Sequence, residues 1–413
     1  MDRRRYIILI LVLGTLTALS PFSIDMYLPA FPAIAKDLGT SVERIQLSLT
    51  SYFIGISVGQ LLYGPLLDRF GRKKPLYIGL VVYIVASLGC AVTKSAETLI
   101  VMRLLQALGS CAGMVAARAL VRDLFPVGDI AKVFSLLLLV VALSPMIAPT
   151  VGGYISSWFG WHWVFIVLTA IAIIILAGCL YWLPQGREPD VKLSLKPLPI
   201  IVNFYSVFKQ PQFYIYAITG GIASASQYAY LSGSSNVFIG FYHTSQKHFG
   251  WIFAFIAAGL IGSSQINSLL LRKFKSEQII KIALFVQSFI GVVLFALTFK
   301  GWINEMEMIL LIFLFLCCQG FISPNASALS LAPFAKQAGS ASALMGFLQM
   351  GIGSIASALV SILSTAYHST ALPMTGIMAF CAILGSILIF TGGRILSKKQ
   401  LVQADPEHLL GVE

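Results

Sequence analysis

Apolar residues in this 413-residue chain come in long runs broken by short polar connections, with no sustained alternation of apolar and polar positions. A helix that crosses a bilayer needs about 20 mainly apolar residues. Twelve runs meet that length, at roughly 6–30, 44–67, 75–93, 98–119, 131–154, 163–183, 213–233, 248–271, 278–298, 306–330, 339–365 and 371–393. The pattern predicts an all-α membrane protein of twelve transmembrane helices. The first run follows MDRRR, as a secretion signal would. It is too long for one, has no small-residue cleavage site and precedes eleven further runs, so it reads as a retained helix.

Composition agrees. Charged residues make up 11% of the chain, against about 25% in a soluble domain. The net charge of +12 would suit a polyanionic partner if it were gathered in one patch. It is spread instead, and unevenly. With an even number of spans, only Lys36, Arg44, Lys94, Lys247 and Lys300 fall on the side away from the termini, and Arg103 lies inside a span. The other lysines and arginines, including Lys336 and those of the 118–132 loop, lie on the side of the termini. Positive charge accumulates on cytoplasmic loops, so both termini are expected in the cytoplasm and no nucleic-acid partner is expected. The six cysteines all lie in apolar runs without a Cys-x-x-Cys, which argues against a disulfide framework or zinc site. There is no G-x-x-x-x-G-K-[ST] loop and no H-E-x-x-H. Gly55-Ile-Ser57-Val-Gly59 matches a hydrolase elbow by pattern, but within an apolar helix it reads as close helix packing. The histidines (His162, His243, His248, His368, His408) are scattered over loops and the tail.

The longest connection, 184–212, divides six spans from six. Leu198, Ile201, Val202, Tyr205 and Phe208 recur there at helical spacing, which predicts an amphipathic helix on the membrane surface, with a plain loop as the alternative. The domains expected are a first six-helix bundle (1–183), this linker (184–212), a second six-helix bundle (213–393) and a cytoplasmic tail (394–413). LLDRFGRK (66–73) and LLRKFKSE (270–277), and MYLP (26–29) and AYLS (229–232), echo each other at almost the same offset. Such repeats are common in transporters, with a substrate site between the halves at mid-membrane.

A few residues depart from the apolar pattern. Asp25, in SPFSIDMYLPAFPAI, places a carboxylate in the first run, at a cost of about 2.5–3.5 kcal/mol on insertion scales. An unbroken helix through Ala35 would place it ~15 Å inside the bilayer, on a face with Gly14, Ala18, Pro21, Pro29 and Pro32 and in the same half as Arg103. Arg103 is read as facing the bundle interior, with snorkelling to the headgroups as its alternative. In GPLLDRFGRKKP, Gly64 and Gly71 suit a tight turn, and Asp68 lies one helical turn before Arg72. Asp123 is a further carboxylate at that depth. Pro145, Pro149, Gly152 and Gly153 in the fifth span predict a bend or loosened packing. The second half has almost no charge within its spans. Gln227, Tyr228, Tyr230, Gln319, Asn325 and Gln349 are its candidates for lining a substrate cavity, or else for joining helices.

Several of these motifs resemble those of the major facilitator superfamily, almost from end to end. Gly64-x-x-x-Asp68-Arg69-x-Gly71-Arg72-Lys73 is similar to its signature loop, which in that family stabilises the outward-open state by linking the halves. The second-half counterpart, LLRKFKSE, lacks the aspartate and the glycine. Arg103-x-x-Gln106 resembles the span-four motif, whose arginine is tied to proton transfer in drug/proton antiporters, although Ala107 and Ser110 depart from it. Pro149-x-x-Gly152-Gly153 resembles the antiporter motif, which marks exporters, with Ala148 in place of its first glycine. SIDMYLPAFP, RALVRDLF, GWHWVF, SPNASALS and AGSASALMGFLQ are most similar to the Bcr/CflA multidrug-resistance branch.

The resemblance implies drug efflux from a bacterial inner membrane by proton antiport, with no cofactor. The partners expected are a small-molecule substrate, protons and lipid, and the chain is expected to be a monomer. One proton crossing 100 mV yields about 2.3 kcal/mol and a pH unit about 1.36 kcal/mol, together enough for a concentration ratio of about tens to hundreds. Asp25 and Arg103 are the expected proton-coupling residues. A proton/solute symporter or a metabolite exporter of the same fold is the alternative. A membrane receptor or an intramembrane enzyme is a remote one.

Overall fold

Two prolines decide how the first run folds. Helix α1 (Arg3–Asp25) stops at the carboxylate, one 3-10 turn (Leu28–Ala30) follows, and α2 (Phe31–Asp37) completes the crossing. Pro29 has no N–H to offer the Asp25 carbonyl and Pro32 none for that of Leu28, so the helical hydrogen-bond ladder lapses. The Ala30 N–H instead reaches the Tyr27 carbonyl at 2.9 Å. The unbroken helix expected past Asp25 is thus corrected: the chain breaks at that residue.

This computed structural model describes residues 3–184, 186, 188–190, 197–334, 338–367 and 370–404. Lys336, His368, His408, much of the polar start of the linker (185, 187 and 191–196) and the tail from 405 lie outside them. The further helices are α3 (Val42–Phe70), α4 (Lys73–Ala91), α5 (Ala96–Leu124), α6 (Val127–Phe159), α7 (His162–Trp182), α8 (Pro197–Phe208), α9 (Pro211–Ser235), α10 (Gln246–Leu270), α11 (Ser276–Lys300), α12 (Glu305–Leu331), α13 (Ala338–Ala366) and α14 (Leu372–Ala404). Ser41, Ser95 and Ser245 cap α3, α5 and α10 through their hydroxyls, and Asn304 with Glu307 forms a capping box on α12. A short π-helical segment, Asn236–Phe241, extends α9.

Among the described residues, eleven spans are long and apolar enough to cross a membrane. The remaining expected span, α9, has 25 residues but is rich in glycine, serine and tyrosine. It packs against α12, α13 and α14, and most of its residues are buried. A helix enclosed by protein needs small residues for close approach more than an apolar coat. The surface residues Leu198, Ile201, Val202, Tyr205 and Phe208 share the exposed side of α8, while Val207 is buried against α9 and α13.

The two bundles pack alike. In the first, α3 and α4 pack on α5, α1 on α6, and α4 on α7. In the second, α10 and α11 pack on α12, α9 on α13, and α11 on α14. This correspondence extends the short sequence echo to a repeat of helix packing. The halves meet along two matching seams, α3 on α13 and α6 on α10. Polar bonds fasten the first: Thr50 to Ser357 at 2.7 Å, and Ser57 to the Phe347 carbonyl at 2.9 Å.

Candidate functional site

The break in the first span opens onto a cavity of about 290 Å³ between the halves. Ser20, Pro21, Ile24 and Asp25 line one wall, and Gln227, Tyr228, Tyr230 and Leu231 of α9 line another. Tyr228 also packs on Phe53 of α3, with ring centroids 4.8 Å apart. The Tyr230 hydroxyl is buried without a hydrogen-bond partner among the described residues. Asp25 is 4% exposed. No hydrogen bond or ion pair to its carboxylate exists among the described residues. Burying an unpaired charge is costly, and such groups in membrane spans mark ion or substrate paths.

Among the described residues no ion pair joins Arg103 to Asp25. The arginine side chain is 0% exposed, which disposes of the snorkelling alternative. One guanidinium nitrogen donates to the Ser23 carbonyl at 2.9 Å and another to Gln106 Oε1 at 2.5 Å. Gln106 in turn donates to Ser87 Oγ at 2.7 Å. The guanidinium lies over the rings of Tyr27 and Tyr52, 4.0 and 4.2 Å from their centroids. Arg103 therefore ties α3, α4 and α5 to the backbone just before the break. In this structure it braces the backbone that leads to Asp25 without bonding the carboxylate.

The sequence missed Arg118. Helix α5 continues to Leu124, so Arg118 is not in the 118–132 loop where it was placed. Its accessible side chain lines the cavity with Met114, and nothing among the described residues pairs with it. The available signal was helical spacing: Met114 and Arg118 are one turn apart. A loop reading of RALVRDLF hid it.

Three of the second-half candidates lie elsewhere. Gln319 and the Ser224 hydroxyl are hydrogen-bonded at 2.9 Å, and Asn325 donates to Asn267 Oδ1 at 2.7 Å. Both pairs join helices away from the cavity. On α13, Met350 rather than Gln349 faces the cavity.

The glycines of the fifth-span motif differ from expectation. Helix α6 runs unbroken through Pro145 and Pro149, with Pro145 on the cavity wall. Gly152 and Gly153 do not loosen packing. They permit direct backbone approach, Gly152 to the Met26 carbonyl beside Asp25 and Gly153 to the Gln246 carbonyl of α10. A Cβ at Gly152 would overlap that carbonyl oxygen. Gly153 thus closes the seam between halves, while Gly152 packs the break of the first span against α6 within the first half.

At the opposite end, Arg72 Nη1 donates to Asp68 Oδ1 at 2.6 Å, and Nε to Asp123 Oδ2 at 2.7 Å. Burial works against this charge, but hydrogen bonds to Asp123 and Asp68 outweigh it and hold the proton above the usual arginine value. Only Gly71 makes the turn, at φ +80°, since Gly64 is inside α3. Arg69 lies over the Phe70 ring at 5.8 Å. Among the described residues, both of Arg72's ion pairs stay in the first bundle, and this side chain makes no link between the halves there. The Asp190 N–H fastens the linker to the Asp68 carbonyl at 3.0 Å. Arg72→Ala is expected to cost about 1–3 kcal/mol, read as a lower unfolding midpoint in detergent. An unchanged midpoint would count against the clasp.

A family model described as Major Facilitator Superfamily matches residues 13–358. An uncharacterised transporter of this type from Bacillus subtilis is 34% identical, over 92% of this chain and 94% of its own length. A bicyclomycin resistance protein homolog from Haemophilus influenzae is 33% identical, over 93% of this chain and 95% of its own. Among solved structures, a D-xylose–proton symporter superposes with a TM-score of 0.74 at 16% identity, covering 93% of this chain and 96% of its own. That likeness concerns the fold.

Proposed function

As the chain belongs to the Major Facilitator Superfamily, a family of membrane transporters and not of enzymes, we propose that this multi-pass inner-membrane protein exports drugs and other small amphipathic compounds by proton antiport. The observation that carries this reading is Asp25: one unpaired carboxylate at a break in the first span, in a cavity that both halves line. A carboxylate whose surroundings change between two states binds a proton in one and gives it up in the other. In this cycle, proton and substrate take turns at Asp25 as the cavity opens to either side. Arg103 holds the backbone before it, and the Asp68–Arg72–Asp123 clasp with Gly71 steadies the first bundle. Tyr228, Tyr230 and Gln227 offer the substrate aromatic faces and an amide.

Drug transporters of this family need no cofactor, and here the proton gradient supplies the energy. The charge asymmetry supports cytoplasmic termini. The glycine seam of α6 and α10 then seals the outer face. The halves 1–183 and 213–393 act as the two rocking bodies of a monomer, joined by linker 184–212. Two features support export over uptake: the Pro149-x-x-Gly152-Gly153 motif and a relative named for bicyclomycin resistance. Inside-out vesicles containing the purified protein test this. With an acid interior they are expected to accumulate ethidium or chloramphenicol, and a protonophore to abolish the accumulation. Accumulation indifferent to the protonophore, or transport only in the uptake direction, would refute the reading.

A further inference from the structure

We propose that Arg118 is the anion-binding pole of the substrate site and that the cavity is built for zwitterions, compounds with an ammonium at one end of an apolar body and a carboxylate at the other. This rests on the export reading above and names its substrate class.

The argument begins with what the cavity wall offers. It holds two charged side chains, Asp25 from α1 and Arg118 from α5, both without partners among the described residues. Between them the wall is apolar and aromatic, with Ile24, Ile56, Met114, Tyr228 and Phe253. A guanidinium offers five donors in a fixed fork that matches a carboxylate. With no acceptor in place among the described residues, those donors are open to a ligand. The Tyr230 hydroxyl is a further buried group on this wall without a partner among the described residues.

Helix register sets the distance between the poles. Tyr52 OH contacts both Ser20 and Ser110, and Gly113 abuts Leu16, so α1 and α5 run antiparallel with these residues level. Asp25 is then level with the part of α5 just after Arg103, and Arg118 lies ~20 Å further along the helix. Side chains lean toward the helix N-terminus, which brings the guanidinium back toward Asp25 and leaves on the order of 12–15 Å between charges. Two hydrogen-bond lengths taken from that span leave about 10 Å between the ligand's ammonium and its carboxylate.

Charge balance fits antiport. With Asp25 ionised, the two poles are neutral in sum, as is a zwitterion. The ligand's ammonium occupies Asp25 in place of the proton, while its carboxylate pairs with Arg118. A lipophilic monocation meets Arg118 as a like charge and a neutral compound leaves both poles unpaired, so both are carried, but less well than a zwitterion.

The test uses the full chain in inside-out vesicles, with norfloxacin as zwitterion, tetraphenylphosphonium as monocation and chloramphenicol as neutral probe. Arg118→Gln is expected to lower norfloxacin transport at least about tenfold, the loss of roughly one charge-assisted hydrogen bond. Tetraphenylphosphonium transport is expected to stay level or rise. Arg118→Lys is expected to recover part of the norfloxacin transport, which shows that Arg118→Gln has not lost its fold. If Arg118→Gln moves norfloxacin at the wild-type rate, or loses all three probes equally, the assignment is wrong while export itself stands. If the wild type moves none of the probes against a proton gradient, both fall.

Discussion

Vesicles carrying Asp25→Asn are expected to accumulate no substrate against a gradient. The ratio should fall from the tens to hundreds, about what one proton supports, to unity. The amide has the shape of the carboxylic acid but cannot exchange a proton, so the carrier stays in the equivalent of its proton-loaded state. Two further readouts separate this from simple damage. Asp25 has no hydrogen-bond partner among the described residues to lose, and removing a buried unpaired charge relieves a cost. The unfolding midpoint should therefore be unchanged or raised. Substrate added to lightly buffered protein should release protons from the wild type and none from Asp25→Asn. Wild-type accumulation by Asp25→Asn would remove the proton site from this residue, whatever became of the export reading.

Helices were the legible part of the sequence because a lipid-facing surface must be apolar along its whole length. That constraint made the spans readable and located α9 as well, although α9 is enclosed and pays little attention to lipid. The chemistry was legible only where a charge interrupted an apolar run, as at Asp25 and Arg103. Their relation was not. Depth along two helices placed them in the same half, but whether two side chains face each other depends on helix rotation and on the break that Pro29 and Pro32 impose. The arginine turned to the Ser23 carbonyl instead. Arg118 was missed for the converse reason. It stands near charged neighbours, Arg122 and Asp123, so nothing in the linear pattern separated a cavity-facing arginine from a loop. Gln319 and Asn325 carried the same polar signal as Gln227, and only packing distinguishes an amide that joins two helices from one that faces a cavity.

Arg103→Ala is expected to destabilise the protein by about 3–5 kcal/mol. Two hydrogen bonds from a charged group, to Ser23 and Gln106, contribute about 1.5–3 kcal/mol each. The rings of Tyr27 and Tyr52 add about 2 kcal/mol of cation–π attraction where water is excluded. Removing the burial cost of the charge offsets part of this sum. Arg103→Lys should recover only a fraction, because a single ammonium cannot bridge Ser23 and Gln106 while lying flat between two rings. A double-mutant cycle with Asp25→Asn then decides what kind of residue Arg103 is. If it acts on the backbone before the break, its stability coupling to the Asp25 charge should be within about 0.5 kcal/mol of zero, as for sites with no shared bond. A coupling well above about 1 kcal/mol would mean that the two charges pair directly in the resting protein, and that Arg103 neutralises Asp25 instead of positioning it.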